Sequence, residues 1–320
     1  MRSMVSDKKG QAFPYGDLVL HSLPVRLRLR EDVLLPPFKG STFRGLLGHA
    51  LIGSFCQAGR EVCHGCSRSD ICPYPSLFKP YLSREGRSVP APYLVDPLYD
   101  PRTRIRKGED VGFVLRLFGP ALRWLPFVLA GLCRAGGKGG LGPRRAKFAL
   151  VEPTPPPVAT EPRAWGERAP EGLESTRAAD LTGNEGAIRG IRFLTPLKLK
   201  EGGEVLGEVH ERALLSALER RVKGLCKFYG EGTWDIPLEW EEAPVLRLGQ
   251  GGLRWVVLER PSCTQPDRVN IGGWVGFLPV EGCNRSAASL LRVGQWTHIG
   301  KNTVYGCGKY TLLPNAKDGA

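Results

Sequence analysis

Residues 285–313 read RSAASLLRVGQWTHIGKNTVYGCGKYTLL, a stretch with three parts. A helix runs from Arg285 to about Trp296. It enters the glycine-rich run Gly300-Lys301-Asn302-Thr303-Val304-Tyr305-Gly306-Cys307-Gly308, and a strand over Lys309–Leu313 closes the chain. The same order occurs earlier: a helix from Ala121 to Arg134, the run Gly136-Gly137-Lys138-Gly139-Gly140-Leu141-Gly142, then a short strand Ala146–Val151. Working back from each copy recovers the rest of its half. In the first half, Leu18–Leu29 alternates Val25, Leu27 and Leu29 against Arg26, Arg28 and Arg30, the period of a half-buried strand. Ser41 is placed to cap a helix from Thr42 to about Phe55, and strands follow around Tyr93–Val95 and Val111–Phe118. In the second half, Ile188–Leu199 is a strand. Glu208–Tyr229 is a helix with Leu214, Leu218, Val222 and Leu225 on one face and Arg212, Arg220, Arg221, Lys223 and Lys227 on the other. Leu253–Leu258 and Trp274–Val280 are its next strands.

Both halves therefore read β-α-β-β-α-β. The expected class is α+β: two tandem ferredoxin-like domains, each with helices on one face of an antiparallel sheet. The first spans residues 1–151, with a cysteine-rich insertion at 56–80, and the second spans 188–320. Residues 152–187 between them carry seven acids, three basic residues and prolines 153, 155, 156, 157, 162 and 170, which predicts an extended, loosely ordered linker.

The chain has 320 residues, 42% of them hydrophobic and 24% charged, the balance of a folded protein with room for two cores. Met1–Ala12 lacks the apolar core of a signal peptide. The most apolar stretch, Val111–Cys133, is broken by Arg116, Arg123 and Gly119-Pro120, so no membrane span is expected and a cytoplasmic location is. Lys and Arg number 45 against 32 acids, a net +13 that favours a polyanionic partner. Placement sharpens this. Val111–Val151 has no acid against Arg116, Arg123, Arg134, Lys138, Arg144, Arg145 and Lys147. Gly282–Lys317 has none against Arg285, Arg292, Lys301, Lys309 and Lys317. The cations gather at equivalent places in the two halves. Glycines beside them would let a backbone approach phosphate closely and offer N–H groups as an anion nest; the competing reading is a pair of turns with no function.

These residues resemble the CRISPR-associated repeat-RNA endoribonucleases of the RAMP superfamily. The resemblance rests on the run Phe38-Lys39-Gly40-Ser41-Thr42-Phe43-Arg44-Gly45-Leu46-Leu47-Gly48-His49, on Cys72-Pro73-Tyr74, Ala91-Pro92-Tyr93 and Leu194-Thr195-Pro196-Leu197-Lys198, and on Gly294–Lys301 leading into Tyr305–Gly308. It implies metal-independent cleavage of CRISPR repeat RNA, in which the substrate's 2′-hydroxyl attacks the adjacent phosphate and leaves a 2′,3′-cyclic phosphate and a 5′-hydroxyl. It also implies retention of the guide RNA and transfer to an interference complex with other CRISPR subunits.

Such chemistry needs a base, an acid and a cation near the phosphate. The five histidines are His21, His49, His64, His210 and His298. His49 lies roughly 140° from the centre of its helix's apolar face, and the resemblance places a catalytic histidine on this helix. A solvent-facing histidine is the alternative. His298 precedes the second glycine loop by two residues and Lys301 by three. It is read either as a proton-transfer group beside a phosphate-stabilising ammonium or as an imidazole holding loop backbone in shape. Tyr305 either orients the 2′-hydroxyl or stacks on a base. The catalytic candidates are thus His49, His298, Lys301 and Tyr305. The RNA-binding candidates are Lys39, Arg44, Lys138, Arg144, Arg145, Lys147, Arg292, Gly300, Gly306, Gly308 and Lys309. Cys56, Cys63, Cys66 and Cys72 have the spacing C-x6-C-x2-C-x5-C, which fits a structural Zn2+ site, with an iron–sulfur cluster or free thiols as alternatives. No cofactor is expected for catalysis itself. Two rivals remain: a RAMP-type subunit that grips a guide-RNA handle without cutting it, and a zinc-containing DNA-binding regulator, against which the lack of a helix-turn-helix stands.

Overall fold

Alternation of Leu23, Val25, Leu27 and Leu29 with Arg26 and Arg28 does produce a half-buried first strand, in a computed structural model. The structure describes residues 14–15, 17–57, 63–80, 89–156, 158–166, 169–182, 187–231, 240–260 and 268–314. Lys317, Cys263 and part of the insertion and linker named above lie outside the described residues.

The first half contains β1 (Val19–Leu29), α1 (Gly40–Phe55), β2 (Tyr93–Pro97), β3 (Asp110–Phe118), α2 (Leu125–Lys138) and β4 (Phe148–Glu152). Its antiparallel sheet has the order β2-β3-β1-β4. Helices α1 and α2 cover one face through Phe43, Leu47, Leu51, Leu129 and Leu132, all buried. Helix α1 starts earlier than a Ser41 cap would allow. Lys39 is its N-cap and no side chain caps it, while Gly40 lies so close to the Tyr305 carbonyl that a Cβ there would collide with it. Helix α2 also overruns expectation: Gly136, Gly137 and Lys138 continue it, so the first glycine loop begins only at Gly139.

The segment after β4 is not the loose linker its composition predicts. Residues Pro162–Gly166 form a helical turn whose Trp165 is buried in the first core and donates Nε1–H to the Ala159 carbonyl at 2.7 Å. Then β5 (Glu174–Arg177) pairs with Val19–Ser22 of β1. One aromatic anchor plus prolines, whose φ is already fixed, is enough to hold an acidic segment against the sheet.

The second half repeats the plan with β6 (Ile188–Leu197), α3 (Glu211–Tyr229), β7 (Leu246–Leu248), β8 (Gly252–Val256), β9 (Gly273–Cys283), α4 (Arg285–Thr297) and β10 (Tyr310–Pro314). Strands β7 and β8 both pair with β9, and the order continues β9-β6-β10, again antiparallel. Leu214, Leu218, Val222 and Leu225 of α3 are buried as the periodicity requires. Arg221 is not on the solvent face. Its guanidinium lies over the Phe118 ring at 5.6 Å, Nε donates to the Thr297 carbonyl at 3.3 Å, and burial pushes it down to about 10.

The halves share a seam. Leu18, Leu20, Leu94 and Phe118 leave the first sheet to join the core of the second half beside Ile191, Leu218 and Leu290. No helix among the described residues is long and apolar enough to cross a membrane. The architecture is two-domain α+β.

Candidate nucleic-acid interface

The second glycine loop is a packed object. It begins where α4 ends at His298, whose φ of 55° turns the chain left-handed, and Gly300, Asn302, Gly306 and Gly308 repeat that turn. Several of its amides are used internally. Ile299 N–H donates to Gly308 O (3.1 Å), Lys301 N–H to Lys198 O (2.9 Å), Gly306 N–H to Thr303 O (2.8 Å) and Gly308 N–H to Pro196 O (2.9 Å). Thr195 Oγ1 donates to Gly306 O at 2.7 Å and accepts from Lys309 N–H at 2.8 Å. A Cβ at Gly300, Gly306 or Gly308 would strike Lys198, Val95 or Ile299 carbonyls respectively. Gly300, Gly306 and Gly308 are therefore required for backbone packing and positive φ, and the amides of Gly306 and Gly308 are already spent inside the protein. Lys301 is the cation this loop holds in solvent; its side chain is exposed.

The first loop is a tight turn closed by reciprocal hydrogen bonds between Leu141 and Ala146 (2.8 and 3.0 Å), with Arg145 at φ 54°. Lys138, Arg144 and Arg145 are exposed around it. Lys147 is half-buried, and its Nζ donates to the Lys138 carbonyl at 3.1 Å.

Register sets the two loops at different heights on the first sheet. β1 and β2 both run antiparallel to β3, but Pro97 lies level with Val25 across Phe113, four residues or about 13 Å short of Leu29. The first loop meets the sheet where Phe148 pairs with Leu29. The second meets it where Gly306 closes on Pro97. The strands concerned, β4 and β2, stand three positions apart, about 14 Å at the usual strand spacing.

Helix α1 lies beside the second loop. Arg44 is half-buried, its guanidinium 5.0 Å from the Phe78 ring and 5.1 Å from the Tyr305 ring, while Arg260 lies 4.7 Å from Tyr305 on the same ring system. This column of alternating rings and guanidiniums holds the loop to the helix. It occupies the faces of the Arg44 guanidinium and leaves Tyr305 only 8% exposed. His49 is different. It is exposed, five residues or about 7.5 Å of helix rise beyond Arg44, and the Gly45 and Gly53 positions on either side open onto empty space.

His298 is completely buried, with both ring nitrogens lacking a hydrogen-bond partner among the described residues. Its Nε2 lies 3.8 Å from Asp96 Oδ2, and burial lowers its pKa below the usual histidine value, against the pull of Asp96. In this geometry it reaches neither substrate nor loop backbone. Lys309 Nζ sits 2.9 Å from Asp96 Oδ1, so this cation is already paired. Lys39 is buried and donates to two backbone carbonyls, and Arg292 is half-buried beside Trp296 and Leu312 along a groove on α4. His21 is buried against Ser175 Oγ (2.8 Å), His210 caps α3 through its ring, and His64 is exposed beside Cys63.

Cys63 is buried and Cys56, Cys66 and Cys72 are half-buried; burial pushes the Cys72 thiol up, and Cys56, Cys63 and Cys66 lie close enough to add to it. No group of three or more His, Cys, Asp or Glu side chains among the described residues is arranged to hold a metal ion.

Sequence reasoning missed Asp96, Tyr99 and Arg260. Asp96 was readable only as an acid inside an apolar strand, and Tyr99 only as an aromatic beside Asp100 and Arg102.

Residues 191–310 match the family model described as CRISPR-associated endoribonuclease Cas6, and residues 18–161 match one described as an N-terminal domain. A Thermus thermophilus Cas6 product complex superimposes with a TM-score of 0.51 at 15% identity, covering 92% of this chain and all of that one. A chain of a partial Cas6-RT-Cas1–Cas2 complex gives 0.53 at 12% identity, over 94% of this chain and 47% of that longer chain. An uncharacterized protein of Archaeoglobus fulgidus is 27% identical over 214 residues, 66% of this chain and 70% of the relative. The Cas6 model thus matches the second half of the chain, and the solved structures share its two-domain α+β fold.

Proposed function

We propose that the protein is an endoribonuclease that cuts CRISPR repeat RNA without a metal ion, using the RNA's own 2′-hydroxyl. The observation that carries this reading is the exposed His49, set between two glycine-cleared positions on the helix that holds the second glycine loop. In the step, His49 takes the proton from O2′, O2′ bonds to the adjacent phosphorus, and the P–O5′ bond breaks. O5′ leaves with a proton from solvent or a returning imidazolium, giving a 2′,3′-cyclic phosphate and a 5′-hydroxyl. Lys301 supplies positive charge to the crowded phosphate, and Lys138, Arg144 and Arg145 extend a track for the strand toward the C-terminal end of β1. His298 and Tyr305 hold the loop and do not touch RNA. We read each half as ferredoxin-like from its strand order, residues 1–151 and 188–320 as the two domains, and repeat RNA, then other CRISPR subunits, as partners.

Burial of His298 leaves His49, on the exposed side of α1, as the accessible histidine of that helix and loop, which also suits a subunit that grips a guide-RNA handle without cutting. Incubation with repeat RNA from the host's own array, in EDTA, separates the readings. Cleavage that disappears with a single 2′-deoxy substitution at the scissile position supports transesterification. Tight binding with both RNAs left intact supports the gripping subunit.

A further inference from the structure

Lys39 is 2% exposed, and its ammonium donates to the carbonyls of Asp100 (2.5 Å) and Arg102 (2.8 Å). Taking an ammonium out of water is costly, and burial lowers its pKa accordingly. What the structure obtains in return is a fixed loop between β2 and β3. The same loop is held at several more points. Arg102 N–H and Nε both donate to Asp100 Oδ1 (3.0 and 2.9 Å), and its Nη2 donates to Asp100 Oδ2 (3.0 Å) and the Asp110 carbonyl (3.1 Å). Leu35 N–H donates to Thr103 O at 2.8 Å, and Arg104 reaches Asp32 at 3.1 Å.

Tyr99 sits within this clamped loop, and its side chain is held in solvent at 95% exposure, next to Leu98 at 50%. Its backbone neighbours place it. Pro97, two residues earlier, closes on Gly306, and Lys39, which holds the Asp100 carbonyl, precedes Gly40 at the Tyr305 carbonyl, so this loop adjoins the one that bears Lys301. The local arginines are largely matched by Asp32, Asp100 and Glu109, which makes the spot poor at holding phosphate by charge. An exposed aromatic face on a backbone pinned this way, in a near-neutral setting, suits the π-face of an unpaired base.

We infer that Tyr99 is a stacking platform for one unpaired nucleobase of the RNA where the strand passes the second glycine loop. The inference rests on the RNA-binding reading above. It is tested with Tyr99→Ala, Tyr99→Phe and the unaltered protein, each titrated by fluorescence anisotropy with labelled host repeat RNA at several salt concentrations. Tyr99→Ala should weaken binding about 5- to 150-fold, the range for loss of one base–aromatic stack. The slope of log affinity against log salt should stay unchanged, because no phosphate contact is lost. Tyr99→Phe should bind like the unaltered protein. Unchanged affinity in Tyr99→Ala, a reduced salt slope, or failure of Tyr99→Phe to restore binding overturns the stacking assignment and leaves the RNA reading standing. No binding by the unaltered protein overturns both.

Discussion

Asp96 of β2 and His298 at the end of α4 face each other across the seam between the halves, Oδ2 and Nε2 3.8 Å apart, at 1% and 0% exposure. The same carboxylate takes Lys309 at 2.9 Å and Arg116 at 3.3 Å, and Arg116 also donates to the Gln295 carbonyl at 3.0 Å. His298 and Lys309 bracket the second glycine loop. One buried carboxylate of the first half thus fixes both ends of a loop belonging to the second, and sets that loop against α1.

Removal of this carboxylate should be severe. Asp96→Ala leaves Arg116 and Lys309 without their counter-charge in a buried seam, the situation that costs about 3–5 kcal/mol when one partner of a buried ion pair is lost. Equilibrium urea unfolding measures it. A loss under about 1 kcal/mol would show that the cluster relaxes to solvent and does not join the halves.

Acid should weaken the seam in two stages. His298 has its folded pKa lowered by burial, so the unfolded chain takes up the proton first; stability falls once pH drops below about 6.5 and continues to fall until the folded value is passed. His21 is lowered by burial too and contributes in the same direction. Burial alone would raise the Asp96 carboxyl, but His298, Lys309 and Arg116 outweigh it and hold it down to about 2 against an ordinary 3.8. Its share, about 2 kcal/mol, is present above pH 3.8 and is lost as pH falls through 2. Unfolding free energy measured from pH 7 to 5 should fall less steeply in His298→Gln, the remainder belonging to His21. An identical slope in this variant would remove His298 from the account.

Much of the fold could be read because periodicity and strand order are local signals: Val25, Leu27 and Leu29 against Arg26 and Arg28, or Leu214, Leu218, Val222 and Leu225, declare their faces without knowledge of partners. The site was less legible because its residues are sorted by tertiary contact. Lys39, Arg44, His298 and Lys309 look like free cations or a reactive imidazole in sequence; Asp96, Phe78 and two carbonyls, each far along the chain, turn them into fasteners. The glycines misled for the same reason. Gly308 serves Ile299, which only the folded loop brings beside it.

The exposed cations remain testable as a track. Lys138→Glu with Arg144→Glu should weaken repeat-RNA binding and lower the salt slope by up to about two, roughly one for each phosphate contact removed. Both side chains are solvent-facing, so thermal stability should hold. A salt slope equal to that of the unaltered protein would take the first loop out of the RNA path, leaving the second loop and Tyr99 to bear the strand alone.

His49 and His298 should separate cleanly in kinetics. If His49 moves the 2′-hydroxyl proton, His49→Ala lowers the single-turnover cleavage rate on the order of 10²-fold or more at saturating protein, with RNA affinity and thermal stability close to unaltered, since the side chain lies in solvent. His298→Gln should do the reverse. It disturbs a sealed seam, so the melting temperature falls, while the cleavage rate of the fraction that remains folded changes little at a temperature well below the transition. The pH–rate profile adds a readout that packing cannot imitate: the limb belonging to a catalytic imidazole disappears in His49→Ala and persists in His298→Gln. A full rate in His49→Ala together with a large loss in folded His298→Gln would require the buried imidazole to become exposed when RNA binds, and would move the proton-transfer role from α1 to the seam.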